Sequence, residues 1–517
     1  MKKSKLFMII SLSVLVITII VSGTYALYKA QLSKNIGVNT TTHGLAYYIN
    51  YVKGTDITAA TLNPSTSYEG GASSDIEFWK KDDSYDIYGK IELTVNTIGT
   101  NLSNSPALKY AVVNNGNVLK EGSLKGTTSG SKVTILKNLY LEQTKQIYTV
   151  YVWLDNSEEL GNISNESLSI SVDCTASLQK EPTAADTIIS LYTSAAKVTA
   201  TNNSITYNTA PSVSLMNDRL GGTTTDLDGG NIRYYGANPN NYIYFNCSDY
   251  SNQTSSTCET WRIIGVFDGK LKLIKGSQIG TYSWDNKNIS TGAEDDRGKN
   301  DWTTARLMKL LNPDDYYIND NNDKDSEGNY LGYSLYYNSA SGMCFTDEGV
   351  NYSACDFTST GIKNDETRNM IAETTYNLGG WNDTGVYPNE IYEYERGTTV
   401  YTGRPTTWTG KIALAYPSDY GYAADLNQCK QTLANYDNST CTSNNWMKAI
   451  ITDNGSNHGW LLTPDSSYSY VAWYSHGNVG EYFTGAARGA VPVLSLSSKL
   501  GIESGDGSSS NPYKLSA

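Results

Sequence analysis

"IYGKIELTV", residues Ile87 to Val95, carries apolar Ile87, Ile91, Leu93 and Val95 at odd positions and mostly polar residues between them. Successive side chains of an extended chain point to opposite faces, so this pattern predicts a half-buried strand. Neighbouring stretches read the same way. "LKYAVVNNGNVLKEGSL" (108–124) predicts a hairpin with its turn at Asn114 to Asn117, while "QIYTVYVWLD" (146–155) and "SLSISVDC" (167–174) add two strands. No helical period interrupts them, so residues 27–178 are expected to form a two-sheet β-sandwich. Cys174 shares the alternating face of Leu168, Ile170 and Val172 and is expected as a small buried side chain rather than a reactive thiol.

Beyond this region the pattern changes. Residues 179–225 are expected to be a linker, with a short amphipathic helix around Ile188, Ile189 and Leu191 after Pro182, and a Gly-rich end, "GGTTTDLDGGN". Residues 226–517 mix periods. "WRIIGVFDGKLKLIKG" (261–276) predicts a hairpin turning at Asp268-Gly269. "NDWTTARLMKLLN" (300–312) predicts a helix capped by Asp301 or Thr303, with Leu307, Leu310 and Leu311 inward. "DETRNMIAETTYNLGG" predicts a second helix ending at Gly379. Strands return after Trp460 in "GWLLTP", "YVAWYS", "VGEYF" and "AVPVLSLSS", so both ends of an α+β domain are expected in one antiparallel sheet.

The chain has 517 residues and a net charge of −13, with no basic run beyond the extreme N-terminus, which excludes a nucleic-acid footprint. Lys2, Lys3 and Lys5 precede an apolar run from Leu6 to Val21, the layout of a signal peptide. Thr24 and Ala26 supply small residues for cleavage between Ala26 and Leu27. Residues 6–28 also lack any charge and are long enough for an uncleaved membrane anchor. Either way, Lys2, Lys3 and Lys5 stay inside and the bulk of the chain is exported. No LPxTG signal or apolar C-terminal tail is present, so covalent wall anchoring is not expected, and retention comes from the N-terminal segment, from polymerisation, or not at all.

Cysteine spacing agrees with export. Six of seven cysteines fall into close pairs, Cys247/Cys258, Cys344/Cys355 and Cys429/Cys441, each bracketing a polar loop. Local disulfides are the expected pairing. Zinc is disfavoured because C-x-x-C is absent and the chain has only three histidines, His43, His458 and His476.

Two resemblances follow from these stretches. "GTYALY" (23–28), "NIGVNTTTHGLAYYI" (35–49), "TLNPSTSYEGGASSDIEF" (61–78) and "YGKIELTV" (88–95) resemble the TasA/camelysin family of exported biofilm-fibre subunits. The resemblance implies a jelly-roll or Ig-like sandwich, cleavage at Ala26 by a dedicated signal peptidase, and self-assembly by donating the freed N-terminal strand to a neighbour. The peptidase activity described for camelysins is not carried over, since H-E-x-x-H is absent and His43 is the only histidine in the region. "IRYYGANPNNYIYFN" (232–246), "TWRIIGVF" (260–267), "DWTTARLMKLLN" (301–312), "GWLLTP" (459–464), "GAVPVLSLSSKL" (489–500) and "SGDGSSSNPYKL" (504–515) resemble an uncharacterised domain of gut-bacterial surface proteins. Its outline is similar to the C-type-lectin and formylglycine-generating-enzyme fold.

No catalytic residue is assigned. His458 and His476 sit beside glycines and read as polar turn residues, and the acidic run Glu294-Asp295-Asp296 reads as a solvated loop. No cofactor is expected except calcium, for which Asp323, Asp325 and Glu327 alternate ahead of Gly328, like half of an oxygen-ligand loop. Trp381, Tyr392, Tyr394, Tyr401 and Trp408 lie in a Gly/Asn-rich stretch and are the expected ligand-binding aromatics, for a glycan or protein ligand. Trp261, Trp302 and Trp460 fall in regular elements and are expected in the core. The function expected is assembly or adhesion at a bacterial cell surface or in its matrix. An extracellular carbohydrate-active enzyme and a membrane-anchored structural protein without ligand are the alternatives.

Overall fold

The computed structural model describes residues 30–31, 48–58, 62–158, 160–163, 166–203, 205–219, 230–286, 297–312, 342–345, 352–355, 357–455 and 457–516. Ala26, Leu27, the apolar residues 6–28, Asp323, Asp325, Glu327 and the side chains of Cys344 and Cys355 lie outside these. The chain divides into two compact units, Met1–Glu181 and Pro182–Ala517. It is mainly β, with antiparallel pairing dominant and short helices in the second unit. Among the described residues no helix is long and apolar enough to cross a membrane.

In the first unit the alternation places side chains as expected. Ile91, Leu93 and Val95 of strand Tyr88–Ile98 are fully buried. They lie opposite Cys174, Val172 and Ile170 of the antiparallel strand Leu168–Ser177. Cys174 is buried as well. A second sheet runs in the order Ile49–Val52, Ala72–Lys80, Ile147–Asp155, Leu108–Asn114 and Asn117–Ser123. Its Ile76, Phe78, Val112, Val150 and Val152 join the same apolar cluster as the first sheet's residues. Each such aliphatic or aromatic side chain contributes roughly 1.5–3 kcal/mol by leaving water. The short strand Ala30–Gln31 pairs with the edge of the first sheet at Ala176 and Thr175.

The stretch expected as a linker belongs to the second unit. Its helix, Ala184–Ser194, is opened by a capping box between Thr183 and Asp186 and buries Ala184, Ala185, Ile188 and Tyr192. The Thr/Asn-rich residues after it pair as strands Val198–Asn202, Ile205–Ala210 and Leu215–Asn217, the first three of a nine-stranded sheet. That sheet continues through Ile232–Tyr234, Glu259–Phe267, Lys270–Lys275, Val493–Ser495 and Ile412–Ala413. The hairpin turns at Asp268-Gly269, where φ is +48° and +70°, a left-handed pair that the short Asp side chain and Gly tolerate. Ile263 and Leu273 face one core, and Ile264 and Ile274 face the other. A sheet covered on both faces explains why "WRIIGVF" reads as a continuous apolar run rather than an alternation.

Three further expectations are corrected. The second helix stops at Met370, and Thr374–Asn377 instead pairs as a strand with Thr407–Gly410. The β-branched Thr374 and Thr375 and the aromatic Tyr376 suit an extended chain better than a helix. The C-terminal strands also split. Val493–Ser495 enters the large sheet, while Gly459–Pro464, Val471–Ser475 and Val479–Phe483 form a meander in a separate five-stranded sheet with Thr281–Ser283 and Ala487–Gly489. Helix Arg306–Leu311 buries Leu307, Leu310 and Leu311, but neither Asp301 nor Thr303 caps it: its N-cap is Ala305. Cys247 is bonded to Cys258 and Cys429 to Cys441. Strands Gly342–Phe345 and Tyr352–Cys355, which carry the third pair, run antiparallel to one another.

Candidate ligand-binding surface

The meander sets the geometry of the surface. Its antiparallel register puts Trp460 opposite Tyr474, Tyr474 opposite Gly480, and Ala472 opposite Tyr482. Residues opposite one another share a face, as do residues two apart, so Trp460, Tyr474, Gly480 and Tyr482 share one. Gly480 has a specific purpose. A Cβ there would meet the Tyr474 ring at 3.1 Å, so the absent side chain leaves that ring room over the strand.

His458 immediately precedes the first strand and His476 immediately follows the second, so both arrive beside Tyr474. The two imidazoles lie 4.6 Å apart, and His458 stacks on the Tyr474 ring at 5.3 Å. Arg488, from strand Ala487–Gly489, lays its guanidinium 3.8 Å from the Tyr474 ring centre and 4.4 Å from that of Tyr482. Trp460 lies under the same group at 5.5 Å. Tyr482 is 40% exposed and stacks on Phe483 at 4.1 Å. The product is a patch where both histidines and Tyr482 reach solvent, with a cation set among rings.

Arg488 Nη1 donates to His458 Nδ1. An arginine nitrogen can only donate, so Nδ1 accepts and His458 carries its proton on Nε2. Burial, then Arg488 and His476, lower the pKa of His458 from the usual value. The neutral form is therefore the one that the fold favours. Its contribution to stability is present above the ordinary histidine pKa of about 6.5 and is lost as pH falls through the depressed value. An NMR titration of the free protein is expected to place His458 below 6.5, and Arg488→Gln to move it upward.

A second cluster lies nearby in the sequence. Glu481, on the middle of strand Val479–Phe483, is raised to about 7, first by burial and then by the neighbouring acidic Asp465 and Asp383. Asp465 is fully buried and accepts from the backbone N–H groups of Ser467 and Tyr468 at 2.6 and 2.8 Å.

The aromatics expected from sequence do not converge. Tyr392 and Trp408 are buried, the first under the Arg396 guanidinium at 3.4 Å and the second packed on Tyr376 at 5.5 Å. Trp381 and Tyr394 stack on one another at 3.7 Å, partly buried against the second core. Tyr401 stands apart beside Arg404. Trp261, Trp302 and Trp460 are in the core. Among the described residues no group of three His, Cys, Asp or Glu side chains is placed to hold a metal ion. The surface residues that sequence reading missed are His458, Tyr474, His476, Tyr482 and Arg488. A usable signal existed: Tyr474 and Tyr482 occupy partly polar positions of short strands, and Arg488 in "GAARGAV" has no acidic residue near it in the chain.

No family model matches the chain, and no curated protein does. Among solved structures it is similar to the acetyl xylan esterase Est2A from the rumen bacterium Butyrivibrio proteoclasticus, at 11% identity and a TM-score of 0.14, over 26% of this chain and 35% of that one. An HCR/D mutant is similar at 11% identity and a TM-score of 0.15, over 52% of this chain and 76% of that one. Such scores lie far below those of a shared fold and carry no functional argument.

Proposed function

We propose that this is an exported, non-enzymatic bacterial cell-surface or matrix protein whose C-terminal unit binds a glycan. In this reading the first unit is a TasA-like β-sandwich that attaches or polymerises, and the second is a lectin-like α+β domain that recognises the ligand. The observation that carries it is the convergence of Tyr474, Tyr482, His458, His476 and Arg488 on one partly exposed patch. Aromatic faces stack on the C–H faces of sugars, and flanking polar groups give orientation. Two disulfides support an oxidising, extracellular location. The edge pairing of Ala30–Gln31 supports a role of the N-terminal strand in assembly, since an edge strand can be exchanged between copies.

Glycan binding by the full chain, followed by titration calorimetry, tests the reading. The double variant Tyr474→Ala/Tyr482→Ala is expected to lose about 2 kcal/mol of binding, roughly 30-fold in affinity. Unchanged affinity in a folded variant would sink the assignment of this surface. The raised carboxyl of Glu481, held at about 7, favours the enzymatic alternative, and hydrolysis of a bound oligosaccharide, abolished by Glu481→Gln, would establish it.

A further inference from the structure

Arginines and lysines buried in the second unit generally meet a counter-charge or have their donors taken. Arg233 pairs with Asp218 and Asp419, Lys272 with Asp419, and Lys275 with Glu259. Arg262 has no carboxylate partner among the described residues, but its Nε donates to Asn241 Oδ1 at 2.5 Å and its Nη2 to the carbonyl of Pro239 at 3.3 Å. Arg488 is the exception. It is 9% exposed, and its bond to His458 is its one hydrogen bond among the described residues. Its Nε is buried without a partner, and no carboxylate lies within ion-pair distance of it among the described residues. A buried cation with unfilled donors costs stability, in a protein whose net charge of −13 offers acidic residues in abundance.

Resting on the reading of this surface as a glycan site, we infer that Arg488 is the receptor for a carboxylate on the ligand, so that the ligand is an acidic glycan. The free edge of the guanidinium, Nε and Nη2, is the fork that matches the two oxygens of a carboxylate side-on. His458 takes Nη1, which leaves that edge free and fixes the plane of the group, so it is a positioning residue. Tyr474 and Tyr482 flank the guanidinium and keep water from competing for it. They also offer ring faces to the sugar that carries the carboxylate. A neutral sugar would leave the cation as it stands, without a counter-ion.

The test uses the full chain and a panel of uronic- and sialic-acid oligosaccharides, each paired with its methyl ester, together with a sulfated oligosaccharide. Acidic members are expected to bind at least tenfold tighter than their esters. Arg488→Gln should abolish that preference, and Arg488→Lys, which keeps the charge without the fork, should restore only part of it. Equal affinity for acid and ester, or a preference unchanged in Arg488→Gln, overturns the carboxylate assignment while leaving the glycan site standing. Preferential capture of the sulfated probe overturns it too, in favour of a tetrahedral anion. Binding of none of the probes by the folded protein overturns both. Because the acid–ester comparison is made on the unaltered protein, misfolding of a variant cannot mask the outcome.

Discussion

Asp419→Ala is expected to cost the C-terminal unit about 3–5 kcal/mol, the range for removing one partner of a buried ion pair. Asp419 is almost fully buried, and its Oδ1 accepts from Arg233 Nη1 at 3.0 Å. Its Oδ2 accepts from Lys272 Nζ and from the backbone N–H of Tyr416. Burial alone would raise its pKa, but Lys272 and Arg233 outweigh that and hold it below the usual carboxylate range. Without Asp419, Lys272 has no counter-charge within ion-pair distance among the described residues, and Arg233 keeps only Asp218. The double variant Asp419→Ala/Lys272→Met should therefore lose less than the two single losses added together, because the stranded ammonium goes too. Urea unfolding followed by tryptophan fluorescence measures all three. Additive losses would show that the pair is not coupled.

Glu395 sits in the same network with the opposite sign. Burial pushes it up to about 7, although Arg396 and the N–H and Oγ–H of Ser418 oppose the shift. A carboxyl whose folded pKa exceeds its unfolded value stabilises below about 4.3 and loses that contribution as pH rises through 7. Asp419, lowered, contributes above its unfolded value of about 3.9 and loses that at acid pH. Glu395→Gln should accordingly cost less at pH 8 than at pH 5, while Asp419→Ala shows its full cost at both. A Glu395→Gln penalty that grew with pH would contradict this.

Legibility in the sequence followed the range of the interactions. Strand alternation at Ile91, Leu93 and Val95, the turn at Asp268-Gly269 and the pairing of cysteines 11 and 12 residues apart are local, and the chain displays them locally. The strands Val198–Asn202 and Ile205–Ala210 were hidden because their pairing, not their composition, makes them sheet. Thr, Asn and Ser are equally at home in linkers. The candidate surface was hidden for a different reason. His458, Tyr474, Tyr482 and Arg488 come from different parts of a meander and a further strand, and only the register Trp460–Tyr474–Gly480 brings them together. Residue type misled at Tyr392 and Trp408. A Gly/Asn-rich neighbourhood suggests exposure, yet Tyr392 lies on helix Pro388–Glu395, where its phenol can reach the buried Asn231 at 3.0 Å.

The other large effect concerns the disulfides, and the two units are expected to respond differently. In the chain-entropy account, closing a loop of 11 or 12 residues destabilises the unfolded state by about 3 kcal/mol. The Cys429→Ala/Cys441→Ala variant should lose that much, plus a term for the buried sulfur volume, since both residues lie in a packed core with Leu433 and Tyr436. Cys247 and Cys258 lie in the other core with Trp261, and the backbone bond from Ser248 N–H to the Thr257 carbonyl at 2.7 Å already closes their loop in the folded state. A closed loop in the folded state does nothing to restrict the unfolded chain, so the loss there should be as large. The two effects should add, because the pairs belong to separate clusters. The first unit contains a single cysteine, Cys174, so its unfolding transition should stay fixed under reductant while that of the second unit shifts. Were both transitions to move together, the two units would be unfolding as one cooperative body, and the division at Glu181 would not be a thermodynamic one.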